Sequence, residues 1–293
     1  MKSHRVTIVQ NCQHVLETPK GRLIPGSRTL VIGILNVTTD SFSDGGRYLE
    51  RERAVERALE MAEEGADIID IGGESTRPGA RPISLDEELK RVIPVVQELV
   101  KRLSVPISID TTKARVAKVA LENGASIVND VSALRFDTEM ASSCARNKAG
   151  VILMHMRGTP QTMQRDTRYD NLIQEIFKFL KERVKFAVRN GIARETIAID
   201  PGIGFGKSPE DNMRIIKNLE EFKVIGRPIV LGTSRKSFIG HVLKVDVMDR
   251  LEGTAATVVA GVMNGAHMVR VHDVKAMRRV VDMVDAIKNS DEL

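Results

Sequence analysis

Eight times between residues 29 and 290 a short apolar run gives way to a longer stretch of helical period. The apolar runs fall at 30–35, 67–71, 106–109, 126–128, 151–154, 197–199, 228–231 and 268–271, and their β-branched content suits buried strands. The stretches between and after them (51–64, 84–103, 113–123, 137–147, 171–190, 209–220, 249–264 and 274–288) read as helices. In the first of these, Val55, Ala58, Leu59 and Ala62 share one face, with glutamates opposite. Several end at glycine, as at Gly65, Gly124, Gly191 and Gly265, a usual C-terminal stop. Strand–helix units of this regularity predict an α/β chain, a (β/α)8 TIM barrel. The alternative, an open doubly wound sheet, is disfavoured because the first strand lacks the glycine fingerprint of a dinucleotide fold.

Barrel chemistry collects at the C-terminal ends of the strands, and there the sequence changes character. The first strand ends at Asn36 and runs into a polar loop with Asp40 and Asp44; the second ends at Asp70, before Gly72-Gly73-Glu74-Ser75-Thr76-Arg77-Pro78-Gly79. The third ends at Asp110, the fourth at Asn129-Asp130, and the fifth leads to His155 and Arg157. The sixth ends at Asp200, followed by Pro201 and glycines at 202, 204 and 206 before Lys207. Glycine at that spacing lets backbone take positive φ and approach a ligand closely. The seventh is followed by Gly232-Thr233-Ser234-Arg235-Lys236-Ser237, and the eighth carries Arg270 and His272.

Asp110, Asn129 and Asp200 therefore converge in one mouth, where a polar group left unpaired costs roughly 1–3 kcal/mol. Their donor and acceptor character suits a planar heterocycle bearing amino, amide and ring N–H groups. Across the mouth, Lys236, Arg270, His272 and Asn36 suit a phosphate-type anion, with Mg2+ on oxygen ligands and water. Asp67 and Asp70 read as structural or supporting acids, Lys207 and Arg157 as surface charges, and each of His155 and His272, taken alone, as a buried histidine. The six histidines lack metal-ligand spacing, which argues against zinc.

Composition narrows the remaining classes. The net charge is +5, but 44 Lys and Arg are interleaved with 39 Asp and Glu, aromatics are 3% and Trp is absent. Without a basic tract or stacking platform, nucleic-acid binding is not expected. No apolar run is long enough for a membrane helix, and the N-terminus lacks the core of a secretory signal, so a cytoplasmic location is expected. Cys12 and Cys144, the two cysteines, read as reduced thiols. Residues 1–28 read as an N-terminal extension covering a barrel end, with a strand near Val6–Val9 and a hairpin turning at Lys20-Gly21-Arg22; residues 29–293 read as one barrel domain.

The strand-end segments ILNVTTDSFSDGG (34–46), GGESTRPGA (72–80), ISIDTTK (107–113), IVNDVSALRFD (127–137), MHMRGTPQTMQ (154–164), DPGIGFGK (200–207), LGTSRKSFIG (231–240) and GAHMVRVHDV (265–274) resemble, in order, those of the bacterial dihydropteroate synthases. The resemblance implies a transferase of folate synthesis that joins 6-hydroxymethyl-7,8-dihydropterin diphosphate to 4-aminobenzoate and releases diphosphate. It implies pterin contacts from Asp110, Asn129, Met154, Asp200, Gly232 and Lys236. Asn36, Thr76, Arg270 and His272 would hold the diphosphate, with Asn36 also at Mg2+, and Arg77, Pro78, Phe205 and Ser237 would line the aminobenzoate slot. Asp110, Asp200, Lys236, Arg270 and His272 would carry catalysis, in a dissociative substitution with Mg2+-assisted diphosphate departure. Homodimers and sulfonamide inhibition are further implications.

The sequence departs from the family pattern at Thr39, where a proline usually precedes the loop aspartate and would stiffen the chain. Two rival classes stand against the synthase. One is a lyase with Lys236 as Schiff-base nucleophile, disfavoured because Lys236 lies beyond its strand, where desolvation is not expected. The other is a pterin-binding relative without this activity, either a non-catalytic paralogue or a methyltransferase needing a methylcobalamin partner. Every matched ligand position being filled argues against it.

Overall fold

The structure, a computed structural model, describes residues 15–26, 28–37 and 46–290, with backbone alone at 46–49. It opens with an antiparallel hairpin, β1 (Leu16–Thr18) and β2 (Gly21–Leu23). Strand and helix then alternate: β3 (Leu30–Asn36), α1 (Gly46–Glu63), β4 (Ile68–Gly72), α2 (Leu85–Arg102), β5 (Ile107–Asp110), α3 (Ala114–Glu122), β6 (Ile127–Asp130) and α4 (Met140–Arg146). They continue as β7 (Gly150–Met154), α5 (Leu172–Arg189), β8 (Ile197–Asp200), α6 (Pro209–Lys217), β9 (Val230–Leu231), α7 (Ser237–Leu243), α8 (Leu251–Met263), β10 (Met268–Val271) and α9 (Val274–Lys288).

The eight strands from β3 onward pair in parallel in the order β8-β7-β6-β5-β4-β3-β10-β9. A bridge between Ile199 and Ile229 joins the two ends, and the Ile199 N–H donates to Pro228 O at 2.9 Å. Every neighbour is consecutive around the ring and the ends meet, so the sheet is a closed (β/α)8 barrel and not a doubly wound sheet.

Strand alternation sorts the side chains into two populations. Outward residues such as Val31, Ile69, Ile109, Val128, Leu153, Ile199 and Val269 join the core beneath the helices. Inward residues Leu30, Ile32, Ile68, Ile127, Ile152, Ala198, Val230 and Met268 form a second, interior cluster. Leu16 of the hairpin is fully buried in that interior cluster, so β1 plugs the N-terminal end of the barrel. Two residues further along the same inward phase stand Asp70, Asn129, Met154, Asp200, Gly232 and Arg270. A period of two thus turns a greasy floor into a polar mouth.

The helices carry the signals that end them. Ser84 caps α2 by accepting from the Glu87 N–H at 3.2 Å; acids Asp86, Glu87 and Glu88 sit in its first turn and Lys101 and Arg102 in its last. Two details differ from the sequence expectation. The hairpin turns at Pro19-Lys20, with Gly21 already paired to Thr18, because the Thr18 hydroxyl closes the turn against Gly21 O at 2.9 Å. An extra helix, α7, stands between β9 and α8; its two turns, with Gly240 inside and Val242 and Leu243 exposed, carry too little apolar period to be read. The expected strand near Val6–Val9, together with Cys12, Thr39, Asp40 and Asp44, lies outside the described residues.

Candidate active site

Strand register sets the acids side by side. Asp110 pairs with Asn129 across β5 and β6, and Met154 with Asp200 across β7 and β8. Opposite them, at the end of β10, Arg270 reaches back across the mouth. Its Nε donates to Asp70 Oδ2 and its Nη2 to Asp110 Oδ2, each at 2.6 Å, and Asn129 Nδ2 donates to the same Asp70 oxygen at 3.1 Å. All four residues are buried or nearly so. Oδ1 of Asp110 and Oδ1 of Asp70 have no partner among the described residues. That leaves a buried carboxylate oxygen on Asp110 free to accept a hydrogen bond inside the polar mouth.

The charges are tuned by enclosure. Burial pushes the Asp110 carboxyl up to about 7, against the pull of Arg270 and with the push of Asp70. Burial also raises Asp200, opposed by the Lys236 ammonium. Asp200 Oδ1 accepts from the Gly202 N–H at 2.7 Å, which turns the carboxylate inward. Arg270 is kept charged by Asp70 and Asp110 despite its burial.

Lys236 follows β9 by five residues. Its ammonium nonetheless lies inside the mouth, donating to Ile203 O and sitting 4.7 Å from the centroid of the Phe205 ring. Burial brings it down to about 8, with Asp200 opposing. The expectation that Lys236 escapes desolvation is therefore corrected: the turn after β9 folds back over the barrel. Arg235 sits at φ 57°, left-handed for a residue with a side chain, and is held there from all sides. Its N–H donates to Thr254 Oγ1 at 3.1 Å, its carbonyl accepts from Arg250 Nη1 at 2.9 Å, and its Nε donates to Asp273 Oδ2 at 2.9 Å.

The glycines after Asp200 are a steric necessity. Gly202 takes φ 74°, and a Cβ there would lie 1.9 Å from His155 O. Lys207, expected at the surface, is instead buried beneath this loop. Its Nζ stands 2.8 Å from Gly202 O, 2.9 Å from His155 Nδ1, 3.0 Å from Phe205 O and 3.4 Å from His155 O, and burial drives its pKa well below the usual lysine range. Phe205 packs with Val131, Met154, Met156 and Met163, an apolar wall on the Asp200 side.

This mouth matches a known family. Residues 32–272 fit the model of the pterin binding enzymes. A dihydropteroate synthase from Synechocystis is 49% identical over 263 residues, 89% of this chain and 91% of the relative. The chain belongs to the dihydropteroate synthases. Among solved structures, the Yersinia pestis dihydropteroate synthase in a sulfonamide drug complex superposes with a TM-score of 0.89 at 40% identity, covering 94% of this chain and 99% of that one. Burkholderia cenocepacia dihydropteroate synthase complexed with 7,8-dihydropteroate gives 0.86 at 38%, covering 95% and 98%.

Among the residues expected of a dihydropteroate synthase, Asp110, Asn129, Met154, Asp200, Gly232, Lys236 and Arg270 share the mouth. A Cβ on Gly232 would stand 3.9 Å from Lys236 Nζ and 3.8 Å from the Arg270 Cβ, so hydrogen there leaves room beside the ammonium. His272 stands one step above Arg270 in the inward phase, with Nδ1 3.0 Å from Ser234 Oγ. Asn36, Arg77, Pro78 and Ser237 are exposed, and Thr76 is half-buried. Arg77 is close enough for its charge to help depress His272.

Two residues that sequence reasoning left outside the site organise it. Asp70, read as a supporting acid, is the oxygen on which both Arg270 and Asn129 turn; its inward phase, two residues after Ile68, is the signal for it. Lys113 ties Glu74, at the root of the Thr76–Pro78 loop, to buried Glu88 on α2 at 2.5 Å from Glu88 Oε2.

Proposed function

We propose that this mouth carries out the synthase reaction with the residues just described, the supporting observation being the paired acids Asp110 and Asp200 facing Lys236 and Arg270. The enzyme condenses 6-hydroxymethyl-7,8-dihydropterin diphosphate with 4-aminobenzoate to give 7,8-dihydropteroate and diphosphate. Asp110, through its unpaired oxygen, Asn129 and Asp200 take the N–H and carbonyl edge of the pterin. Met154 and Gly232 flank the ring, and Lys236 covers its other side. As the exocyclic C–O bond breaks, positive charge spreads into the dihydropterin, and the two fixed carboxylates stabilise it in a site already organised. Arg270, His272 and Thr76 donate to the departing diphosphate. The aniline nitrogen of 4-aminobenzoate then attacks the carbon and gives up one proton, which the departing diphosphate can take, with its carboxylate held by Arg77 and Ser237 and its ring between Pro78 and Phe205. Closure of the rim loops excludes water from the cation.

Mg2+ fits this arrangement. It takes few protein ligands and keeps waters alongside phosphate oxygens. Asn36 offers one amide oxygen at the rim, and no group of three or more His, Cys, Asp or Glu among the described residues makes a protein cage. When bound, the ion neutralises diphosphate charge. We also infer a homodimer, supported by exposed Val259 and Met263 on α8 and Met283 and Ile287 on α9. A cytoplasmic setting agrees with the absence, among the described residues, of a helix long and apolar enough to cross a membrane. We infer too that the extension ahead of the single barrel domain covers the barrel end, a reading supported by Leu16 in the barrel floor.

The test is diphosphate release by purified protein with Mg2+ and the pterin diphosphate, with and without 4-aminobenzoate. Release that depends on aminobenzoate, yields dihydropteroate and is lost in Asp110→Ala and Lys236→Ala is expected. Pterin binding without turnover refutes the reading and favours a binding paralogue or a methyltransferase. Borohydride trapping of substrate on Lys236 would favour the lyase.

A further inference from the structure

Ser234 was no part of the expected site. It lies in the turn after β9, buried, and its Oγ makes two contacts with one residue: it accepts from the His272 backbone N–H at 3.2 Å and lies 3.0 Å from His272 Nδ1. A serine hydroxyl has a single hydrogen to give, and a buried one that gives it to nothing costs free energy. Among the described residues no other acceptor lies within hydrogen-bond distance of this hydroxyl, so its hydrogen points at Nδ1. Nδ1 then accepts with its lone pair, and a neutral ring must carry its hydrogen on Nε2. The ring is neutral at ordinary pH, since burial, with Arg270 and Arg235 adding, brings His272 down to about 4. Nε2, on the far side of the ring from Ser234, has no protein partner among the described residues.

We propose that Ser234 is a positioning residue that fixes His272 as its Nε2–H tautomer, so that the ring presents an N–H donor to the diphosphate of the substrate. The inference rests on the diphosphate role of His272 given above. The opposite tautomer would aim a bare lone pair at an anion, turning an attraction into a repulsion at the leaving group. The strain at Arg235 has a purpose in this light. Its left-handed turn, bolted to Thr254, Arg250 and Asp273, sends the Ser234 hydroxyl to His272 while delivering Lys236 to the mouth two residues later.

The deciding experiment is nitrogen-15 NMR of the full-length protein labelled at histidine, with the His272 signals assigned by their loss in His272→Gln. The expected spectrum at neutral pH shows Nε2 protonated and Nδ1 bare. Ser234→Ala should give a mixture of tautomers and weaken binding of the pterin diphosphate about tenfold, leaving the KM for 4-aminobenzoate in place; Ser234→Thr, which keeps the hydroxyl, should restore both. A wild-type ring protonated at Nδ1 overturns the proposal without recourse to any variant, as does Ser234→Ala with unchanged tautomer and affinity. Nε2–H in a protein that binds no pterin diphosphate sinks the function assigned above, and the donor role with it.

Discussion

Replacing Asp70 by asparagine tests the electrostatics of the mouth without opening a cavity. Asp70 and Asp110 each hold the Arg270 guanidinium at 2.6 Å. Two carboxylates on one guanidinium stand roughly 5 Å apart, and at an effective dielectric of about 20 their repulsion is about 3 kcal/mol, or about 2 pH units. Asp110 is raised to about 7 by burial, then opposed by Arg270, then raised further by Asp70. Removing the Asp70 charge leaves burial in place and the whole of Arg270 to Asp110, so its carboxyl should titrate about one to two units lower. The assay is the pH dependence of kcat/KM for the pterin diphosphate, whose acid limb reports groups of the free enzyme. Wild-type activity should rise through pH 7 as Asp110 ionises, and in Asp70→Asn the limb should move down. Asp200, raised by burial and opposed chiefly by Lys236, is the internal control. An acid limb that stays at pH 7 in the variant refutes the shared-guanidinium account and leaves burial as the sole cause.

Other consequences are simpler to read. Because the folded pKa of Asp110 is raised from 3.8 to about 7, its contribution to stability is present below pH 4 and lost as pH rises to 7; urea midpoints of Asp110→Asn should be flatter across that window than wild type. Lys207→Met strands Gly202 O, Phe205 O and His155 Nδ1 and should cost about 1–3 kcal/mol in urea unfolding once the desolvation of Lys207 is set against the lost bonds; an unchanged midpoint would show that these contacts hold nothing. Gly202→Ala, with its Cβ 1.9 Å from His155 O, should abolish pterin binding by calorimetry, and full binding would contradict the close approach. Leu16→Ala should cost about 2–5 kcal/mol while leaving kcat/KM intact, since the floor of the barrel is the far end from the chemistry.

The barrel was legible because its two signals agree: apolar runs of strand length and helical faces between them. Asp110, Asn129 and Asp200 were legible for the same reason, as polar residues where a strand's inward phase emerges from the core. What local pattern cannot show is where a loop folds back. Lys236 lies five residues past β9 and Lys207 seven past Asp200, both in glycine-containing turns whose direction is set by tertiary contacts. One was expected to escape desolvation and the other to be a surface charge; the structure buries Lys207 and brings the Lys236 ammonium into the enclosed mouth. Ser234 stands in the polar run after the seventh strand, but its pairing with a residue 38 positions away leaves no mark there. The α7 helix escaped because a short, partly exposed helix in a βα loop needs no apolar stripe.

Arg270 links three strands at once, reaching from β10 to Asp70 on β4 and Asp110 on β5 across the intervening β3. It is the counter-ion both for Asp110, which catalysis needs ionised, and for Asp70, which holds Asn129 in place. An alanine at this position would therefore leave Asp70 and Asp110 without their shared cation, and protonation of one of them would relieve the repulsion, removing the charge on Asp110 as well as the guanidinium. Lost turnover in such a variant measures that change of protonation together with the missing grip on diphosphate, and a survey by alanine would overrate the second. Lysine, which keeps the cation but gives up the two-pronged reach, is the substitution that tells scaffold from chemistry.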